Sequence, residues 1–172
     1  AAARTAGRPL PPLSRPGPAL AALRQAAPAP SVVVAASEPG GEGVAVAEAL
    51  AVADLDVTLI PDAAVAHALA TDDVDAVLVG ADTVRPSGAV VNKVGTYSTA
   101  LAARRATVPV YAACAVDKIA VEDDPSTSEE ADPKTVYDGP ASLQVAAPRF
   151  DETPADLVTG GMITDRGTHA PD

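Results

Sequence analysis

The densest run of residues able to do chemistry lies between Gly80 and Ser98. It holds a carboxylate, Asp82, and a guanidinium, Arg85. An amide and an ammonium follow in adjacent positions, Asn92 and Lys93, and Gly95-Thr96 stands directly before a helical pattern. A lysine and an amide beside a helix N-terminus suit a phosphate group. Backbone N–H groups without helical partners, the helix dipole and the ammonium all favour an anion there. Thr96 is placed to cap that helix. A plainer reading stands beside this one, in which Asp82 caps a turn and Lys93 is a solvated cation. The chemistry of the segment alone does not choose between the two.

Elsewhere the polar residues are less organised. Gly40-Gly41-x-Gly43 alone is a weak dinucleotide-loop hint, and its acidic partner about 20 residues on would be Asp62. Glu38 beside that loop disfavours a pyrophosphate. Glu42 and Glu48 read as a solvated helix face rather than an acid–base pair. His67 has no second ligand at metal spacing, and His169 falls in the terminal tail, so no metal site is expected and no cofactor is implied. Cys114 follows an apolar strand and reads as a buried, inert thiol.

These residues need a scaffold, and the hydrophobic pattern supplies one. Ala19–Ala27 has helical spacing and is stopped by Pro28 and Pro30. Ser31–Ala36 is a β-branched run suited to a strand buried on both faces. Helical periodicity returns at Val44–Ala53, a second strand at Asp56–Ile60, a helix at Ala63–Ala70 and a third strand at Asp75–Gly80. Thr99–Ala106 is helical, Val108–Ala113 is a fourth strand and Gly160–Thr164 a short final one. Alternating strands and helices predict right-handed βαβ units: an α/β fold with a mostly parallel sheet flanked by helices. Sites in such sheets lie at the carboxyl ends of the strands, and Asp82 falls two residues past one. Residues 1–12 read as a loose Ala/Pro-rich opening, 13–167 as one domain and 168–172 as a tail. Within the domain, 122–134 reads as an exposed acidic loop with little function. The opening Ala-Ala-Ala-Arg suggests a fragment or processed product and does not resemble a signal peptide.

Composition narrows the classes of function. The chain has 172 residues, 48% hydrophobic but only 2% aromatic, and a formal net charge of −11. That charge opposes direct nucleic-acid binding, which needs a basic face. No long uncharged apolar run predicts a membrane span, so a cytoplasmic location is expected. One cysteine excludes an intramolecular disulfide framework. Acidic residues outnumber basic ones 23 to 12. This surface reads as adapted to strong salt, where the Debye length at 1 M is only ~3 Å. A GC-rich genome alone would give a similar composition.

The run Val79-Gly80-Ala81-Asp82-Thr83-Val84, continuing through Gly88, Val90-Val91-Asn92-Lys93-Val94-Gly95-Thr96-Tyr97 and Val108-Pro109-Val110-Tyr111, resembles the family of translation initiation factor 2B alpha, beta and delta subunits. That family also contains ribose-1,5-bisphosphate isomerase and methylthioribose-1-phosphate isomerase. Ser37-x-Pro39 with Gly43, Phe150-Asp151-x-Thr153-Pro154, Ile163-Thr164 with Gly167, and Leu13-Ser14-Arg15-Pro16-Gly17 resemble its further motifs. The resemblance implies a Rossmann-like C-terminal domain, assembled with itself or with paralogous subunits. It implies that an Asp of the Gly-Ala-Asp motif and a Cys of the opening segment act as a catalytic pair on a sugar phosphate, with the Asn-Lys pair binding substrate. Asp82 thus corresponds to the catalytic Asp. Gly43, Gly80, Asn92, Lys93, Gly95, Thr96 and Ser14 correspond to substrate-binding positions.

Two substitutions within those motifs shape the functional expectation. Ser14 stands where the family has its Cys, and an alcohol is a far poorer acid than a thiol of pKa about 8.5. Glu38 stands where the loop has an Arg, turning a phosphate clamp into a repelling charge. They suggest a non-catalytic protein that assembles with partners or senses a sugar phosphate or nucleotide. Asp82, Asn92 and Lys93 support the alternative, a phosphosugar aldose–ketose isomerase.

Overall fold

The structure is a computed structural model and describes residues 2–3, 30–122, 129–164 and 166–169. Five parallel strands form its frame: β2 (Ser31–Ala35), β3 (Asp56–Ile60), β4 (Ala76–Gly80), β7 (Val110–Ala113) and β9 (Gly161–Thr164). β1 (Ala2–Ala3) and β10 (Gly167–His169) complete a seven-stranded sheet of order β10-β9-β7-β4-β1-β2-β3. The expected α/β architecture is present, with β2–β3, β4–β7 and β7–β9 parallel. Among the described residues, three helices cover the sheet: α1 (Glu42–Val52), α2 (Val65–Thr71) and α3 (Thr96–Ala106).

The helices lie on both faces, and two hydrophobic clusters record this. Val32, Val34, Leu55 and Leu78 pack with Ala47 and Leu50 of α1. Val77, Val79 and Val110 pack with Val65 and Leu69 of α2 and Ala100 and Ala103 of α3. Alternation explains the split, because successive strand residues point to opposite faces. Ala100 and Ala103 are fully buried, and their small side chains let α3 lie close on the sheet. Each fully buried Val or Leu contributes about 1.5–3 kcal/mol, so aliphatic residues suffice where aromatics are scarce.

Several sequence expectations need correction. β2 alternates buried with half-buried residues instead of being buried on both faces. The strand expected at Asp56–Ile60 is present as β3, at the end of the sheet among the described strands, with Leu59 46% exposed. Ala2–Ala3, expected to be loose, pairs antiparallel with both β2 and β4. Thr168 and His169, expected in a tail, pair with Ile163 and Met162 of β9. The helix expected at 19–27 lies outside the described residues.

The second sheet, β5 (Thr83–Val84), β6 (Val90–Lys93) and β8 (Phe150–Thr153), has no counterpart in the sequence-based reading. It is antiparallel, with Asn92 opposite Asp151 and Lys93 opposite Phe150. It stands on the carboxyl end of β4 and delivers Asn92 and Lys93 to that end.

Candidate functional site

Among the described residues, β1 bridges β2 and β4 in their N-terminal parts, where Ala2 faces Val33 and Val77 and Ala3 faces Val32 and Ala76. Towards the carboxyl ends of β2 and β4 lies a cavity of 330 Å³. Its walls include Val34, Val46, Ile60, Val65 and Val79, and its polar rim includes Ser37, Glu42, Asp62, Asp82, Asn92, Lys93 and Thr96. Six expected site residues besides Asp82 line it or border it: Gly43, Gly80, Asn92, Lys93, Gly95 and Thr96. Ser14 lies outside the described residues.

Each of these residues is held for a local reason. Asp82 follows β4; its backbone N–H donates to the Val91 carbonyl at 2.9 Å, and its side chain is exposed. That tie to the small sheet fixes the carboxylate at the mouth. Gly80 leaves room for Asn92, whose Oδ1 would sit 3.1 Å from a Cβ at that position. Asn92 Nδ2 donates to Thr96 Oγ1 at 2.9 Å, and Thr96 Oγ1 donates to the Lys93 carbonyl at 2.7 Å. This chain pins the amide and the backbone carrying Lys93. Gly43 allows α1 to start against β2: an added Cβ would lie 1.8 Å from the Ala35 carbonyl oxygen.

The N-terminus of α3 departs from expectation. Thr96 does not cap it; its hydroxyl points back to Lys93. Gly95, at φ +102°, occupies the cap without a side-chain bond. The capping carboxylate is Asp151, which accepts from Gly95 N–H at 2.7 Å and from Tyr97 N–H at 3.1 Å. Burial pushes the Asp151 carboxyl above its ordinary value, against the pull of the Tyr97 and Gly95 amides. The dipole end expected to meet a phosphate therefore already meets a protein anion.

Glu42 is exposed on its helix, as expected, but it has a role the sequence reading did not give it: its carboxylate pairs with the Lys93 ammonium across the cavity mouth. Burial raises its pKa, but the Lys93 hydrogen bond and charge, its own backbone amide and Arg149 outweigh burial and hold it below its ordinary value. Glu48 is exposed, as expected. Asp62 holds the loop, accepting from Ser37 N–H at 3.0 Å and Glu38 N–H at 2.8 Å. A smaller cavity of 220 Å³ adjoins the first through Ser37, Glu42, Lys93 and Val94 and reaches Glu38, Asp132, Thr135 and Arg149. The acidic loop is thus partly structural: Glu130 accepts from Ala147 N–H at 2.8 Å, and Ala131 and Asp132 line this cavity.

Cys114 is buried, and His67 is exposed on α2. Among the described residues, no three His, Cys, Asp or Glu side chains gather as a metal-binding group. Among them, too, no helix is long and apolar enough to cross a membrane. Sequence reasoning did not assign Glu42 or Asp151 to the site. The available signals were an acid in the first turn of a helix and an aspartate inside the Phe150-Asp151 motif.

The model of the Initiation factor 2 subunit family matches residues 8–171. Curated relatives include methylthioribose-1-phosphate isomerase of Leishmania major, 34% identical over 132 residues, covering 69% of this chain and 35% of that protein. The enzyme of the same name from Nematostella vectensis is 38% identical over 123 residues, covering 66% of this chain and 35% of that protein. Among solved structures, translation initiation factor eIF-2B subunit delta from A. fulgidus superposes with a TM-score of 0.75 at 30% identity, covering 82% of this chain and 44% of that one. 5-Methylthioribose 1-phosphate isomerase from Pyrococcus horikoshii superposes with a TM-score of 0.74 at 32% identity, covering 81% of this chain and 41% of that one. The chain thus spans about a third of the length of the curated relatives it matches. These isomerase relatives overturn the non-catalytic expectation drawn from Ser14 and Glu38 and favour the isomerase alternative.

Proposed function

The chain belongs to the Initiation factor 2 subunit family, and from that membership we propose that its α/β domain carries the sugar-phosphate site of an aldose–ketose isomerase. The observation that carries this reading is the convergence of Asp82, Asn92, Lys93 and Thr96 on one apolar-walled cavity at the carboxyl ends of β2 and β4. Aldose–ketose isomerisation of a sugar 1-phosphate first breaks the bond between C1 and the ring oxygen, which takes a proton from an acid as it leaves. A base then carries the C2 proton to C1, while the C2 hydroxyl returns a proton to that acid and becomes the ketone carbonyl; a further group holds the phosphate. The exposed Asp82 carboxylate serves as the base and returns the proton to the neighbouring carbon. Lys93 holds the phosphate, and the Asn92 amide, locked by Thr96, orients the hydroxyls beside it.

The charges favour a substrate with a single phosphate. Among the described residues, the cavity rim has three carboxylates, Glu42, Asp62 and Asp82, against one ammonium, Lys93. Glu38 and Asp132 add negative charge to the adjoining cavity, where Arg149 already pairs with Glu129 at 3.4 Å. A second phosphate would face these carboxylates, whereas an apolar substituent suits the valine and isoleucine wall. Methylthioribose 1-phosphate meets this description better than ribose 1,5-bisphosphate. Self-association is part of the same proposal, supported by Tyr97 and Leu101, exposed one turn apart on α3.

The test is direct. The protein is incubated in molar salt with each sugar phosphate, and ketose formation is followed by phosphorus NMR. Turnover of methylthioribose 1-phosphate, reduced at least 100-fold by Asp82→Asn, is the expected result. Absence of both turnover and binding with both phosphosugars overturns the proposal.

A further inference from the structure

Among the described residues, Lys93 carries the one ammonium of the main cavity, and Glu42 already holds it. The two groups come from different elements: Lys93 ends β6, and Glu42 opens α1. They stand where the two cavities meet, and both line each of them. The Glu42 side chain is 50% exposed and that of Lys93 32%, so neither is locked in place by burial. Exposed pairs of this kind are weak, because solvent screens them and the side chains lose freedom in pairing. Arg149 lines the smaller cavity with Glu42 and offers the displaced carboxylate a second cation.

From this geometry we propose that Glu42 is a displaceable counterion, which competes with the ligand's phosphate for Lys93 and so sets the affinity of the site for anions. The inference rests on the reading of the cavity as a sugar-phosphate site. A phosphate oxygen that reaches Lys93 must take the place of the Glu42 carboxylate. If it does not, it sits beside that carboxylate in a field already made negative by Asp82. Glu42 moves toward solvent or Arg149, and the wall between the cavities moves with it. A ligand that gains nothing from Lys93, such as a neutral sugar, has no means of displacing Glu42. The pair therefore discriminates for the phosphate while lowering its net affinity.

Inorganic phosphate is the probe, titrated while the amide signals of Gly95 and Thr96 are followed by NMR. In Glu42→Gln the dissociation constant for phosphate falls roughly two- to fivefold, the scale of a half-exposed ion pair. Glu48→Gln, which removes an equal charge from the far end of α1, leaves it unchanged. Lys93→Gln abolishes the response. Melting curves for each variant separate these effects from a loss of fold, because a merely structural Glu42 would lower stability without tightening phosphate. Unchanged or weaker binding by Glu42→Gln overturns the inference. So does equal tightening by Glu48→Gln, or no phosphate binding by either wild type or Glu42→Gln. Phosphate binding with this pattern but without turnover would count against the isomerase reading alone.

Discussion

Two helix N-termini face the same cavity, and they are completed in different ways. Both α1 and α3 begin at a left-handed glycine, Gly41 at φ +69° and Gly95 at φ +102°, with no side-chain cap bond from the N-cap residue. At α1 the solution is local. Gly43 N–H donates to the Ala36 carbonyl at 3.0 Å, and the loop before it is held by Asp62, at the start of the next helical segment. At α3 the solution is distant: Asp151 reaches the first-turn amides from a strand more than fifty residues away in sequence. One terminus therefore depends on tight backbone approach, and the other on a tertiary carboxylate. The acid of the first turn of α1 then pairs with the lysine preceding α3, so the Lys93 charge is matched inside the protein before any ligand arrives.

The largest expected effect breaks the α1 side. Gly43→Ala places a Cβ against the Ala35 backbone oxygen, which cannot rotate away. It should destabilise the domain by about 3 kcal/mol or more, read as a lower denaturant midpoint. If Gly43→Ala unfolds at the wild-type midpoint, the close-approach account of α1 fails.

Asp151→Asn tests the α3 side. It weakens two charge-assisted amide contacts and should cost about 1–2 kcal/mol. Its pH dependence has a defined sign. The folded carboxyl titrates above the ordinary value of 3.8, so folded protein holds the proton that unfolded chain has released. Stability from this group is greatest below 3.8 and declines as pH rises through the folded value. The gap between wild type and Asp151→Asn, measured by urea unfolding, should thus be wider at acid pH than at pH 7.

Gly95→Ala should be the mildest, about 1 kcal/mol. Its added Cβ meets nothing within 4 Å, and only the left-handed backbone is strained. A cost equal to that of Gly43→Ala would remove the distinction between the two termini.

Much of the scaffold is legible in the sequence. The β-branched run at Ser31–Ala36, the strand pattern at Asp75–Gly80 and the helical spacing of Thr99–Ala106 follow from local preference and periodicity, and they match β2, β4 and all but the first turn of α3. The small sheet is less legible. Thr83–Val84 has two residues, Val90–Lys93 has four, and β8 arrives from far along the chain, so no window of sequence contains the pattern. The same holds for the site. Asn92, Lys93 and Thr96 are neighbours in sequence, and their grouping is visible there. Glu42 and Asp151 join them only when α1 and β8 are folded against β6.

Family membership, the α/β alternation and the placing of Asp82 beyond a strand end are determined by residue types and local spacing. The sequence also states the excess of acid over base. It does not state which acids meet which amides and cations. Local order is set by short-range sterics and hydrophobic period, whereas ion pairing depends on distances that only chain crossing creates. Tertiary structure alone therefore decided that Asp151 rather than Thr96 serves the α3 N-terminus, that Asp62 belongs to the loop, and that Lys93 comes to the site already paired with Glu42.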